Sequence, residues 1–123
     1  MIYLNELVMG RNRITDISAL SNLTYLTFLT IDNNRVNDLS PLSGLTDLQN
    51  LMLYSNFISD VTPLSGLIYL KNLELWDNRI RDVSSLSSLV NLIDLRLFSN
   101  PIPNAQIDTL RALLPDCDIW WWG

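Results

Sequence analysis

The side chains best suited to recognising another molecule are four aromatic residues spaced 22 positions apart: Tyr54, Trp76, Phe98 and Trp120. In a parallel sheet with equivalent register, such residues would stand side by side on one face, about 4.8 Å apart. The charged and aliphatic residues that would flank them are Met52, Glu74, Asp77, Asp94 and Arg96. Contiguous exposed aromatic residues commonly mark an interface, so this set predicts a partner-binding ridge.

A second interpretation of the same four rings requires no ligand. The rings would stack on one another across neighbouring strands and only stabilise the sheet. The two interpretations do not exclude each other, because a stacked ring can still present an edge to solvent. The acidic residues beside the rings favour a partner that carries basic groups.

The composition argues against several other kinds of chemistry. Thirteen acidic and eight basic residues give a formal net charge of -5, whereas a nucleic-acid-binding domain is expected to carry a basic patch. The chain has no histidine, which excludes histidine triads and general bases and most zinc sites. No glycine-rich phosphate loop is present, and an open sheet provides no enclosed catalytic pocket. We therefore expect neither an enzyme nor a bound cofactor or metal.

Cysteine content and charge also bear on the cellular compartment. Cys117 is the only cysteine, so no internal disulfide can form, and we expect this thiol to fill core space and to be unreactive. No apolar run approaches the length of a bilayer span, so no membrane insertion is expected. Glu6, Arg11 and Asp16 argue against a secretory signal at the start. Two locations stay open: an intracellular protein, or a fragment of a secreted or surface protein.

The chain is organised as a repeat of 22 residues. Asparagine recurs with this period at Asn12, Asn34, Asn56, Asn78 and Asn100. Leucine recurs with it at Leu7, Leu29, Leu51, Leu73 and Leu95. The units run without insertion over 1–22, 23–44, 45–66, 67–88 and 89–110. With a C-terminal cap at about 103–123, they predict a single solenoid domain spanning 1–123.

Each unit divides into a strand half and a turn half. In 48–53, apolar and variable residues alternate, which is the period of a strand with one buried face. The second half contains Ser40-Pro41 and Thr62-Pro63 and predicts turns and short 3₁₀ segments. The repeated asparagine is expected to bond to backbone groups where the strand bends away.

Two further columns are expected to be structural. The acidic column consists of Asp16, Asp38, Asp60 and Asp82, which repeat with the period and are interpreted as turn-forming residues. The basic column consists of Arg13, Arg35 and Arg79, interrupted by Phe57, and is interpreted as a solvated rim.

The repeated pattern Leu-x-x-Leu-x-Leu-x-x-Asn-x-Ile-x-Asp-Ile-x-x-Leu resembles the 22-residue leucine-rich repeats of bacterial internalin-like proteins. The resemblance covers about the whole chain. It implies an α/β repeat solenoid: a leucine-rich-repeat arc with a concave parallel sheet of about six strands, convex turns and a C-terminal capping helix. It also implies that the chain binds another protein, because most members of the family do so.

The C-terminal region departs from the repeat. Residues 105–114 predict a helix with one apolar face, ended by Pro115. Cys117 and Ile119 follow Leu95 and Leu97 by 22 positions, so we predict a sixth strand at 117–119 with both side chains pointing inward. By alternation, Trp120 would lie on the concave face and Trp121 inward or over the cap.

The N-terminal region shows no cap. Met1 occupies the first leucine column, so we expect the chain to begin at a repeat boundary. A solenoid normally needs a polar terminal unit, because an open end exposes the core and a strand edge. Three explanations stay open: a fragment of a longer protein, an end buried by self-association, or tolerated exposure.

Three functions are consistent with these features. The first is binding of a protein or peptide through the aromatic ridge. The second is self-association of a structural or assembly element, as a homodimer, through the uncapped N-terminal end or the tryptophan-rich C-terminus. The third is carbohydrate recognition, since sugar rings stack on tryptophan and tyrosine.

Overall fold

The computed structural model describes residues 3–122 and consists of one sheet, four 3₁₀ turns and one helix. The sheet is parallel throughout, and its six strands follow one another in chain order. The strands are β1 (Glu6–Val8), β2 (Phe28–Thr30), β3 (Asn50–Met52), β4 (Asn72–Glu74), β5 (Asp94–Arg96) and β6 (Asp118–Trp120). The 3₁₀ turns cover Ser18–Asn22, Ser40–Leu42, Thr62–Leu64 and Ser84–Ser88, and helix α1 covers Asn104–Leu113. The predicted solenoid fold is confirmed.

The core lies between the strands and the 3₁₀ turns. The central leucine of each strand from β2 to β5 points inward and is 0% exposed; these residues are Leu29, Leu51, Leu73 and Leu95. Each of them pairs in register with its equivalent in the next strand, so the strands stack at a constant offset of 22 residues. The 3₁₀ turns close the opposite side, where each contributes one buried leucine. Met1 lies outside the described residues.

A ladder of buried asparagines connects successive repeats. The Oδ1 atom of Asn56 accepts the backbone N–H of Val36 in the preceding repeat at 3.0 Å. Its Nδ2 atom donates to the carbonyls of Ile31, Leu53 and Tyr54 at 2.9, 3.0 and 3.3 Å. Asn34, Asn78 and Asn100 repeat most of this pattern. The amide therefore satisfies backbone groups that the bend would otherwise leave buried and unpaired.

The residue before each asparagine has a left-handed backbone. The residues are Arg11, Asn33, Ser55, Asp77 and Ser99, with φ between 54° and 61°. This region is uncommon for residues other than glycine. The asparagine that follows stabilises it, because its amide bonds to carbonyls two and three positions back. The strand thus ends in the same bend in every repeat.

The acidic column forms turns, as predicted. Asp16 Oδ1 accepts the backbone N–H of Ser18 at 2.8 Å, and this bond holds the pKa of Asp16 below its ordinary value. Asp60 Oδ1 also accepts the hydroxyl of Thr62 at 2.7 Å, which is the main reason why the pKa of Asp60 is lowered. A carboxylate that starts the 3₁₀ turn in this way is a structural element of each repeat.

The register predicted for the last strand is wrong by two residues. Leu95 pairs with Ile119 and Arg96 with Trp120, so the offset from β5 to β6 is 24 and not 22. The strand is therefore Asp118–Trp120 and not 117–119. Helix α1, which begins one residue earlier than predicted, replaces a 3₁₀ turn and takes up the two extra residues.

A shift of two residues preserves which face a side chain occupies. Cys117 and Ile119 still pack against the core, and so does Trp121. The Nε1 atom of Trp121 donates to Asn104 Oδ1 at the start of α1, at 3.0 Å. The column of Trp120 changes, however: it follows Arg96, and the place after Phe98 belongs to Trp122.

Candidate binding surface

Four aromatic rings form one continuous stack on the exposed face of the sheet. We call Tyr54, Trp76, Phe98 and Trp122 the aromatic ladder. The ring centroids are 4.2, 5.1 and 4.5 Å apart, and the interplanar angles are 8°, 16° and 10°. Neighbouring strands lie about 4.8 Å apart, which is close to the separation of stacked rings. The spacing of the sheet therefore brings the rings into contact.

Stacking decides which part of each ring meets solvent. Trp76 and Phe98 each have a ring against both faces, so they present their edges. Tyr54, Trp76 and Phe98 are half-buried, whereas Trp122 is 63% exposed. The two interpretations of the rings drawn from the sequence thus coexist: the rings stabilise one another and stay accessible. Carbohydrate recognition would need exposed aromatic faces, because sugar rings stack on them. In the middle of the ladder, those faces are covered by the neighbouring rings.

Trp120 belongs to a second cluster, next to the ladder. Its Nε1 atom donates to Asp94 Oδ2 at 3.1 Å, while Asp94 Oδ1 accepts from Arg96 Nε at 3.0 Å. The guanidinium carbon of Arg96 lies 5.0 Å from the centroid of the Trp120 ring. The hydrogen bond to Asp94 raises the pKa of Arg96 above its ordinary value. Asp94 therefore fixes both the cation and the indole in place.

The other residues predicted for the site lie beside the ladder. Met52, Glu74 and Arg96 pair in register on consecutive strands, and Trp120 continues this column. Glu74 Oε1 accepts the Nε1–H of Trp76 at 3.1 Å. Asp77 lies in the bend after β4, where its Oδ2 accepts the hydroxyl of Ser55 at 2.7 Å. All nine predicted residues are thus within one surface, although Trp120 is outside the stack.

Two residues of this surface were not predicted from the sequence. Trp122 was not predicted to continue the column of aromatic rings. The cap contains two more residues than a regular repeat, and this change of offset from 22 to 24 could not be recognised in the sequence. Asp32, at the other end of the ladder, is buried; it accepts hydrogen bonds from Thr30 Oγ1 and Asn33 Nδ2 at 2.6 and 2.9 Å. Burial and this neighbouring carboxylate raise the pKa of Tyr54.

Glycine at position 10 makes room for the Asp32 carboxylate. A Cβ atom at Gly10 would lie 2.5 Å from Asp32 Oδ1, which is closer than van der Waals contact allows. Gly10 and Asp32 occupy equivalent positions in successive repeats. A glycine one repeat before an acidic residue was therefore the sequence feature from which the buried carboxylate could have been predicted.

Cys117 is half-buried between the core and the cap, and burial raises the pKa of its thiol from 9.0 to about 11. A shift of this size lowers the thiolate fraction near pH 8 about 100-fold. We expect iodoacetamide to alkylate the native protein at pH 8 on the order of 100 times more slowly than the urea-unfolded protein. Equal rates in the two states, followed by mass spectrometry, would show that the thiol is freely accessible.

Two further findings concern residues 3–122. No helix in this range is long and apolar enough to cross a membrane. No group of three or more metal-ligating side chains comes together there.

Comparison with known proteins gives consistent matches. The family described as Leucine Rich repeats (2 copies) matches residues 4–44 and 26–66. None of the curated proteins matches the chain. Internalin C2 of Listeria monocytogenes is 36% identical over 97% of this chain and 52% of its own, with a TM-score of 0.91.

Two other solved structures are also similar. Internalin F of Listeria monocytogenes is 29% identical over 98% of this chain and 43% of its own, with a TM-score of 0.77. A leucine-rich-repeat protein of Leptospira interrogans is 26% identical over 94% of this chain and 36% of its own, with a TM-score of 0.69. This chain spans about half the length of these proteins, or less.

Proposed function

Because the chain belongs to the leucine-rich-repeat family and resembles the Listeria internalins, we propose that it binds a protein or peptide through the exposed face of its sheet. The family generally serves protein interaction and is typically not enzymatic. The observation that carries the proposal is the aromatic ladder. Its rings are half-exposed, contiguous and held in one orientation by their neighbours.

Prior ordering of the rings favours binding. A side chain that is already fixed loses little conformational entropy when a partner covers it, so more of the contact energy contributes to affinity. The hydrogen bond from Trp76 Nε1 to Glu74 Oε1 adds to this order. Buried tryptophan and tyrosine are also the residues that most often dominate binding energy at interfaces.

The charges around the ladder favour a partner that carries basic groups. Glu74, Asp77 and Asp94 lie beside the rings, and Arg96 is already paired with Asp94. The whole chain carries a formal net charge of -5. A partner that brings apolar side chains to the ring edges and basic groups to the acidic residues fits both features.

The Trp76→Ala variant tests the proposal. We expect peptides selected from a random phage-displayed library against the native protein to bind this variant at least about 30-fold more weakly, because central tryptophans are typical hot spots. Stability should fall by about 1–3 kcal/mol, since two stacking contacts are lost. Affinity is measured by calorimetry and stability by urea unfolding.

Tyr69→Ala is the matched control for this variant. Tyr69 is an exposed aromatic residue that lies outside the ladder, so its loss should change affinity less than twofold. If the two variants bind the selected peptides equally well, the ladder is not the binding surface.

Self-association is the second candidate, and the exposure of Trp120 and Trp122 favours it. These rings are 44% and 63% exposed, which is a large apolar area to leave in water. Light scattering over a concentration series separates the two candidates. A mass that stays monomeric leaves the ladder available to another partner, whereas a dimer abolished by Trp122→Ala would favour self-association.

A further inference from the structure

Four of the eight basic residues of this acidic chain follow the bends that end the strands, on one flank of the solenoid. We call Arg13, Arg35, Phe57, Arg79 and Arg81 the arginine flank. The backbone N–H groups of Arg35, Phe57 and Arg79 donate to carbonyls of the preceding repeat at 2.9, 2.9 and 2.8 Å. These bonds keep successive repeats near the spacing of paired strands, so Arg13 to Arg79 span about 14 Å.

The arginines of the flank are exposed and have no acidic partner. Within residues 3–122 the only ion pair is that between Arg96 and Asp94, so no carboxylate lies within 4.0 Å of a flank guanidinium. Asp77 precedes Arg79 by two residues, and its Oδ2 atom accepts the hydroxyl of Ser55. The residues of the acidic column follow the flank, and their Oδ1 atoms accept bonds from the turns that come next. The positive charge of the flank is therefore not neutralised by salt bridges within the described chain.

One guanidinium of the flank is already oriented. The guanidinium carbon of Arg79 lies 4.2 Å from the centroid of the Phe57 ring, and Phe57 is 42% exposed. A guanidinium stacked on a ring keeps the N–H groups at its edge available, and these can bind a carboxylate through two parallel hydrogen bonds. Phe57, which interrupts the column of arginines in the sequence, thus positions one of them.

From this arrangement we infer that the arginine flank is a second docking surface and binds an acidic segment of a protein partner. The charge of the flank is opposite to that beside the ladder, so the inference does not depend on the proposed function. A protein segment fits better than a nucleic acid. The flank is only about 14 Å long, and a strand of phosphates would continue past it along a chain of net charge -5.

A fluorescein-labelled peptide of four glutamates, which spans about 14 Å when extended, provides the test, with binding measured by fluorescence anisotropy at low ionic strength. We expect it to bind the full chain and to bind more weakly as salt is added. Arg35→Gln with Arg79→Gln should weaken binding at least tenfold. Lys71→Gln with Arg111→Gln removes the same amount of charge outside the flank and should change binding less than twofold. Circular dichroism melting confirms that both variants are folded.

Other outcomes would overturn the inference. Absence of binding to the native chain would do so, and so would equal weakening by the two pairs of substitutions, since that reports only net charge. Tighter binding of a single-stranded oligonucleotide through the same two arginines would assign the flank to phosphates instead.

Phe57→Leu should weaken peptide binding about two- to fivefold through loss of the cation–π contact, and no change would refute the role of Phe57. Trp76→Ala should leave this binding unchanged.

Discussion

Replacing Asn56 by aspartate is expected to destabilise the protein strongly at neutral pH. The Nδ2 atom of Asn56 donates to the carbonyls of Ile31, Leu53 and Tyr54, and the residue is 4% exposed. In the Asn56→Asp variant a negative oxygen would face three carbonyl oxygens with no cation nearby. An uncompensated buried charge costs about 3–5 kcal/mol, which is a large part of the stability of a small domain.

The effect of Asn56→Asp should depend on pH in a defined direction. Burial without a cation raises the pKa of the new carboxyl in the folded state above the value of about 3.9 that it has when unfolded. Stability is therefore retained below the unfolded pKa and lost as the pH rises through the folded pKa. The measurement is urea unfolding of the variant and the native protein side by side from pH 3 to pH 8.

Asn12→Asp is the matched control. Asn12 occupies the same place in the first repeat, but it is exposed, and within residues 3–122 its side chain bonds only to the carbonyls of Met9 and Gly10. Water can solvate a carboxylate there, so we expect Asn12→Asp to lower the free energy of unfolding only slightly. A similar loss of stability in the two variants at pH 7 would mean that burial of the asparagine ladder does not determine the result.

Leu51→Ala is expected to cost about 2–5 kcal/mol, the usual range for a large-to-small change in a core. Leu51 is 0% exposed at the centre of β3 and pairs in register with Leu29 and Leu73. The cavity would lie between two neighbouring repeats, and a solenoid depends on such contacts between neighbours. Urea unfolding measures the loss.

Met52→Ala serves as the control for Leu51→Ala. Met52 is the next residue of the same strand and lies half-buried on the opposite, solvent-facing side. Because side chains alternate along a strand, we expect its replacement to cost clearly less. If Met52→Ala destabilised the protein more than Leu51→Ala, the assignment of faces would be reversed.

The sequence was sufficient for the fold within the regular repeats. From Leu29 to Leu95 every strand pairs at the predicted offset, because each unit repeats the same hydrophobic positions and the same asparagine. The C-terminal cap departs from this offset, because β5 and β6 pair 24 residues apart. A helix rises about 1.5 Å per residue and a 3₁₀ segment about 2.0 Å, so α1 needs more residues to cover a similar distance. That is why Trp122, and not Trp120, continues the ladder.

The details of the candidate surface were harder to predict. Its columns followed from the period, but the orientation of the rings depends on torsion angles that the period does not fix. The Asp32 carboxylate occupies space that Gly10, in the preceding repeat, leaves free. The contact between Arg79 and Phe57 joins neighbouring repeats in the same way. A consensus pattern describes what all repeats share, so it does not predict contacts between residues that differ from one repeat to the next.

The close, parallel rings of the ladder have an optical consequence. Chromophores stacked at 4.2 and 5.1 Å couple their electronic transitions, so we expect the ultraviolet circular dichroism of this chain to contain a signal from the rings in addition to that of the backbone. Any molecule that wedged the rings apart, or tilted one of them, would change that signal. The surface proposed to bind a partner is thus also its own unlabelled spectroscopic reporter.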